Sequence, residues 1–232
     1  MGMPIVVEVR DEVADHVLDA VFDWLREVDE RFSTYKETSE VSRLNRGELA
    51  LEDAHPDVQE VLERCEELRA ETKGYFDMRA SDGETVDPSG LVKGWSVDRA
   101  ARILDDAGCR DYAINAGGDM VVRGSLWRVG IQHPLERDQV AKVVEATELA
   151  LATSGEYERG AHVLDPHTRR PPTGVLSVTI SGPDLATADA YATAAFAMGE
   201  AGPAWTARLA GYEAMTILAD GRVLSTPGFP AV

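Results

Sequence analysis

Apolar residues recur along the 232-residue chain in two rhythms, one of two residues and one of three to four, and the two are interspersed. Residues 4–9 are apolar and β-branched and predict a strand. Over 12–32, Val13, Val17, Val21, Phe22, Leu25, Val28 and Phe32 share one side of a long amphipathic helix with an acidic outer face. Ser39 can cap a short helix with Ser42 and Arg43 in its first turn. Pro56 fits the first position of a helix over 56–73, ended by Gly74. Residues 89–94 read as a glycine-bearing loop, followed by a helix over 96–107 and a stop at Gly108. A short strand at 112–114 runs into a glycine turn at 115–119. Two strands at 120–124 and 127–134 are expected to meet in a turn near Gly124 and Ser125. Another strand falls at 140–151, a turn at 152–157 and a clear strand at 175–180. An alanine-rich helix covers 184–198, and a short one covers 203–209. A terminal hairpin joins 212–218 to 222–225 across Asp220 and Gly221. With strands and helices mixed and no internal repeat, the fold class is α+β or mixed α/β. Mostly antiparallel sheets pack with helices, in a single domain spanning 1–232.

The composition narrows the function. A net charge of −18 argues against general nucleic-acid binding and against docking on anionic lipid. No run of about 18 apolar residues exists, so membrane insertion is not expected. The first residues have neither a basic start nor a long apolar region, which makes the cytoplasm the expected location. Cys65 and Cys109, without metal-type spacing, read as reduced and half-buried. An acidic protein that handles a phosphorylated ligand needs local compensation from a divalent metal, helix N-termini or a few placed cations.

Four features can carry chemistry. Two glycine turns bracketing a helix can bring backbone N–H groups to one point, as phosphate binding requires, although ordinary tight turns give the same pattern. Asp189 and Thr193, at i and i+4 among small residues, can give two oxygen ligands to Mg²⁺ or hydrogen-bond within a packed helix. His162 is the best acid/base candidate by residue type, against a purely structural role. Tyr35, an aromatic among hydroxyls, suits stacking on a flat ring.

Taken in order, several motifs make the chain resemble the ApbE family, the FAD:protein FMN transferases. They are FSTY at 32–35 with SRLN at 42–45, GYFD at 74–77, DPSGLVKGW at 87–95 and NAGGD at 115–119. WRVGIQHP at 127–134, TSGEY at 153–157, HVLDP at 162–166 and ADAYATA at 188–194 complete the set. The resemblance implies a T-fold-like architecture and Mg²⁺-dependent cleavage of FAD. FMN would pass to a Thr or Ser hydroxyl of an acceptor protein, with release of AMP. Hydrolysis of FAD to FMN and AMP, or silent flavin binding, are the alternatives. By the same resemblance, Asp189, Thr193 and the Val92 carbonyl are metal ligands and His162 is the catalytic base. Tyr35, Ser89, Gly90, Lys93, Asn115, Gly117, Gly118, Asp119 and Thr153 fall in the segments that surround FAD. Two departures stand out: the usual DLGGIAKGY reads DPSGLVKGW here, and the segment between Asp77 and Asp87 is short.

Overall fold

Ile5, Val7 and Val9 turn inward while Val6 and Glu8 face solvent, the period-two burial of a strand with one covered face. A computed structural model of the protein describes residues 2–79, 83, 85–136, 138–155 and 163–230. Its seven strands form one antiparallel sheet in chain order: β1 (Ile5–Val9), β2 (Tyr112–Ala116), β3 (Asp119–Gln132), β4 (Val140–Gly155), β5 (Val175–Gly182), β6 (Glu213–Leu218) and β7 (Val223–Ser225). The helices are α1 (Asp15–Phe32), α2 (Glu40–Asn45), α3 (Pro56–Glu71), α4 (Ser89–Asp106), α5 (Leu185–Ala197) and α6 (Gly202–Thr206). The expected mixed class with an antiparallel sheet is what the chain adopts. Among the described residues no helix is long and apolar enough to cross a membrane.

Alternation along the strands separates two cores. Tyr112, Ile114, Val121, Ala150 and Ala152 face α1, α4 and α5. Their neighbours Ala113, Val122, Leu149 and Leu151 lie on the opposite face with Trp127, Val129 and Ile131. A third cluster joins α1, α2, α3, α4 and α5 through Val28, Val41, Val58, Leu68, Trp95 and Ala190. Helix α5 belongs to two of these clusters: Ala188, Ala192, Ala195 and Phe196 go to the sheet, and Ala190 and Ala194 to the helical layer. A helix apolar all round is a helix buried all round, and alanine lets its neighbours approach closely.

Four sequence expectations change. The glycine loop at 89–94 is the first turns of α4, which starts at Ser89 rather than at residue 96. Its glycines serve close packing. A Cβ on Gly90 would lie 3.2 Å from the Phe76 ring, and one on Gly94 would lie 2.4 Å from the Leu185 carbonyl oxygen. The two strands expected at 120–134 are one, β3, because Gly124 (φ +97°) forms a bulge between Arg123 and Trp127 instead of a reversal. The Asp111 carboxylate secures that bulge by accepting from Ser125 N at 3.2 Å and Trp127 Nε1 at 3.1 Å. The turn expected from residue 152 is strand to Gly155, with Thr153 paired to Thr179 and Gly155 to Ser177; Glu156 and Tyr157 lie outside the described residues. Finally, Cys65 and Cys109 are buried rather than half-buried.

Burial pushes the Cys65 thiol up to about 12 and raises Cys109 as well. A thiol reagent at pH 8 is therefore expected to leave both cysteines unmodified in the native protein and to label both in denaturant. Rapid native labelling of either one would contradict their burial.

Candidate functional site

Helices α4 and α5 cross beneath a cavity of about 510 Å³. Its apolar wall comes from Val28 and Phe32 of α1 together with Phe76 and Met78, and Tyr35 stands at its edge, 97% exposed. Ser89, Gly90, Val92 and Lys93 of α4, Asp189 and Thr193 of α5 and Ser154 of β4 also line it. The volume falls in the ordinary range of small-molecule pockets.

Local folding explains why these groups meet. The Asp87 carboxylate accepts from Ser89 N at 3.0 Å, and Leu91 N and Val92 N both donate to the Pro88 carbonyl, which starts α4 in the motif DPSGLVKGW. Proline is suited to a helix start, where its missing N–H costs nothing. Asp184 caps α5 by accepting from Thr187 N at 2.8 Å, and its other oxygen takes the Tyr212 hydroxyl. Asp189 then falls one turn inside α5, 2% exposed, and Thr193 one turn further.

The cavity floor is electrostatically tight. The Lys93 ammonium lies 2.5 Å from Asp119 Oδ2 and 3.4 Å from Asp189 Oδ1, and both carboxylates are buried. Asp119 Oδ2 has no aligned hydrogen bond, so the ammonium is its counter-charge. Asp119 Oδ1 accepts from Thr153 N at 3.0 Å, and Asp189 Oδ2 from Gly94 N at 3.3 Å. Burial pushes Asp189 up to about 8 against the attraction of Lys93, and the Asp119 charge adds to the rise. Two carboxylates against one ammonium leave this trio one positive charge short when both are ionised. A hard cation suits the oxygen donors available, the Asp189 carboxylate and the Thr193 hydroxyl, with Val92 beside them. The Ser154 hydroxyl lies 3.4 Å from that of Thr193. Among the described residues no three His, Cys, Asp or Glu side chains gather as a metal cluster; the donors that meet at this cavity are oxygens, a carboxylate and a hydroxyl.

The candidate residues therefore divide. Tyr35, Ser89, Gly90, Val92, Lys93, Asp189 and Thr193 line the cavity. Asn115, Gly117, Gly118, Asp119 and Thr153 do not. Gly117 (φ +61°) and Gly118 (φ +104°) form the two-residue turn between β2 and β3, and Asn115 Oδ1 accepts from Gly118 N at 2.9 Å. Met3 covers that turn, and a Cβ on Gly117 would sit 3.1 Å from its sulfur. His162 lies outside the described residues; Val163, the next residue, lines the cavity. The two-residue turn at 115–119 is where the sequence put it, whereas the partner turn at 89–94 is helix.

Sequence reasoning missed three features of the site. Ser154 sat in an expected turn, so its inward face on β4 could not be read. The Asp119–Lys93 pair joins residues 26 apart and carries no local signal. The HTRRPP stretch at 167–172 shows in the sequence only as basic and proline-rich, yet Asp165 folds it. Its carboxylate accepts from His167 N and the Thr168 hydroxyl, both at 2.9 Å, and it sets Arg169 (φ +57°) beside the cavity.

A sequence model described as the ApbE family matches residues 1–82 and 79–216. The chain is 36% identical over 170 residues to the FAD:protein FMN transferase of Rhodobacter capsulatus, which covers 63% of this chain and 32% of that one. It is 29% identical over 240 aligned positions to the FAD:protein FMN transferase of Vibrio cholerae serotype O1, covering 76% and 71%. It thus spans only about a third of the first relative's length. The solved flavin transferase ApbE from Vibrio cholerae superposes with a TM-score of 0.85 at 24% identity, covering 100% of this chain and 96% of that one. The ApbE protein from Thermotoga maritima gives 0.82 at 23% identity, covering 98% and 94%. At these identities the structural likeness is one of fold.

Proposed function

Because this chain belongs to the ApbE family, we propose that it is an FAD:protein FMN transferase that uses Mg²⁺. In this reading it moves FMN from FAD to a Thr or Ser hydroxyl of an acceptor protein and releases AMP, in the cytoplasm. The carrying observation is the convergence of Val92, Lys93, Asp189 and Thr193, from two crossing helices, on one cavity with an aromatic wall.

Asp189 and Thr193 would hold the metal, with the Val92 carbonyl. When bound, Mg²⁺ supplies neutralisation of pyrophosphate charge and polarisation of the phosphorus–oxygen bond under attack. Lys93 keeps a positive charge beside the phosphate position, held there by Asp119. Phe32 and Phe76 offer apolar surface to a flat ring, and Tyr35 can stack on one at the cavity edge. In the transfer the acceptor oxygen bonds to the FMN phosphorus while the bond to the AMP oxygen breaks. His162 takes the proton of the attacking hydroxyl. His162→Ala is therefore expected to slow transfer by about a hundredfold, the lower end of general-base effects, with little change in FAD affinity. Equal turnover in that variant would remove the assignment.

The deciding experiment incubates the protein with FAD, Mg²⁺ and a Thr-bearing acceptor domain, following AMP and acceptor mass. Covalent FMN on the acceptor, lost with EDTA, supports the transferase. Free FMN with AMP would make it a hydrolase. Tight FAD binding with neither product would make it a flavin carrier.

A further inference from the structure

We infer that Asp98, which does not line the cavity, is a positioning residue that sets the register of α5 on α4 and so the geometry of the metal-binding set. The inference rests on the metal reading proposed above. The Asp98 carboxylate reaches from α4 to the start of α5, where Oδ1 accepts from Leu185 N at 3.0 Å and Oδ2 from Ala186 N at 2.8 Å. Those N–H groups belong to the first turn of α5 and have no partner within the helix. Asp184, the helix's own cap, serves Thr187 N instead. Thus a side chain of the neighbouring helix completes the capping of α5.

The position of this clamp matters more than its presence. Asp98 stands four residues after Gly94, on the same side of α4. At Gly94 the two backbones approach so closely that a Cβ would lie 2.4 Å from the Leu185 carbonyl oxygen, and Gly94 N donates to Asp189. On α5, Leu185, Asp189 and Thr193 follow one another at intervals of four, along one side. The clamped residue, the carboxylate and the hydroxyl therefore lie in one row, facing the segment of α4 that carries Val92 and Lys93. A one-residue slip of α5 would move Asp189 by about 1.5 Å along the helix axis. Mg²⁺ demands near-ideal geometry at about 2.0–2.1 Å, so a slip of that size would break the set. Close packing at Gly94 fixes the distance between the helices, and the two-pronged bond from Asp98 fixes their register.

The test measures Mn²⁺ binding to the metal-free protein by electron paramagnetic resonance, which needs no turnover. Asp98→Ala is expected to weaken Mn²⁺ binding about 10–100-fold, the usual effect of losing an outer-shell partner. Asp98→Asn, which keeps one acceptor oxygen, is expected to fall between Asp98→Ala and the wild type. Tyr112→Phe provides the control for general loosening of α4, since it removes a buried hydroxyl bonded to Asp105 and Ala101 at the far end of that helix. It is expected to bind Mn²⁺ as the wild type does. Wild-type affinity in folded Asp98→Ala overturns the inference, as does equal weakening by Tyr112→Phe. If Asp98→Ala fails to fold, Asp98→Asn decides, and unchanged affinity there overturns it. A wild-type protein that binds no Mn²⁺ removes the metal reading itself, and the inference with it.

Discussion

Asp189→Ala is expected to lower FMN transfer by about three orders of magnitude, roughly 4 kcal/mol of transition-state stabilisation, while leaving the protein folded. The loss follows from the donor set. Among the described residues, Asp189 is the one carboxylate of the expected metal set, alongside a hydroxyl and a carbonyl. The hydroxyl and the carbonyl carry no formal charge, so without Asp189 little holds a divalent ion against its hydration. The fold tolerates the change for three reasons. Alanine is the strongest helix former and already flanks the position at 188 and 190. Burying a carboxylate is costly, as the upward push on Asp189 records, and the substitution removes that cost. Lys93 keeps Asp119 as its partner at 2.5 Å, so no cation is left buried alone. The melting temperature of the metal-free protein should therefore move by no more than the equivalent of about 1 kcal/mol. The check is AMP release at saturating FAD together with a calorimetric scan. Full activity would remove the metal assignment, and an unfolded variant would show that Asp189 is structural.

How far the site was legible in the sequence depended on whether the signal was local. Asp189 and Thr193 are one helical turn apart, and their alanine-rich surroundings announce a helix, so their shared face could be read directly. Ser39 at the start of α2 and Pro56 at the start of α3 are local signals of the same kind, and the structure has both where they were expected. Gly90 and Gly94 misled because glycine marks two different things. A turn needs its freedom at positive φ, as at Gly117 and Gly118, whereas close packing needs only its missing side chain. The sequence does not say which, because the reason for Gly94 lies about ninety residues away in the Leu185 carbonyl. Gly124 misled in a related way: its φ is positive, but it kinks β3 without reversing it. The pairs Lys93–Asp119 and Asp98–Leu185 are likewise products of topology alone.

Gly94→Ala should therefore separate the two readings of that motif. Taken as an isolated helix position, the change ought to stabilise α4 by about 1 kcal/mol. Taken in place, the new Cβ meets Leu185 O at 2.4 Å, Leu185 C at 2.7 Å and Ala186 Cα at 2.8 Å. All three are backbone atoms, so no side chain can swing aside. Nor can α5 retreat freely, because Ala188, Ala192 and Phe196 on its other side pack with Val178 and Ile180 of the sheet. Overpacking of this kind costs about 2–3 kcal/mol, which for a chain of this size lowers the melting temperature by about 6–10 °C. Whatever displacement relieves the clash also moves Asp189 and Thr193 relative to Val92. Transfer should accordingly fall at temperatures where the variant is still folded, and raising Mg²⁺ should restore part of it. Gly90→Ala is the natural comparison. Its Cβ would meet only the edge of the Phe76 ring, at 3.2 Å, and a ring can give by a few tenths of an ångström. That variant should stay within about 1 kcal/mol of the wild type. A Gly94→Ala protein more stable than the wild type would mean that the two helices do not lie this close, and the register argument for Asp98 would lose its footing along with it.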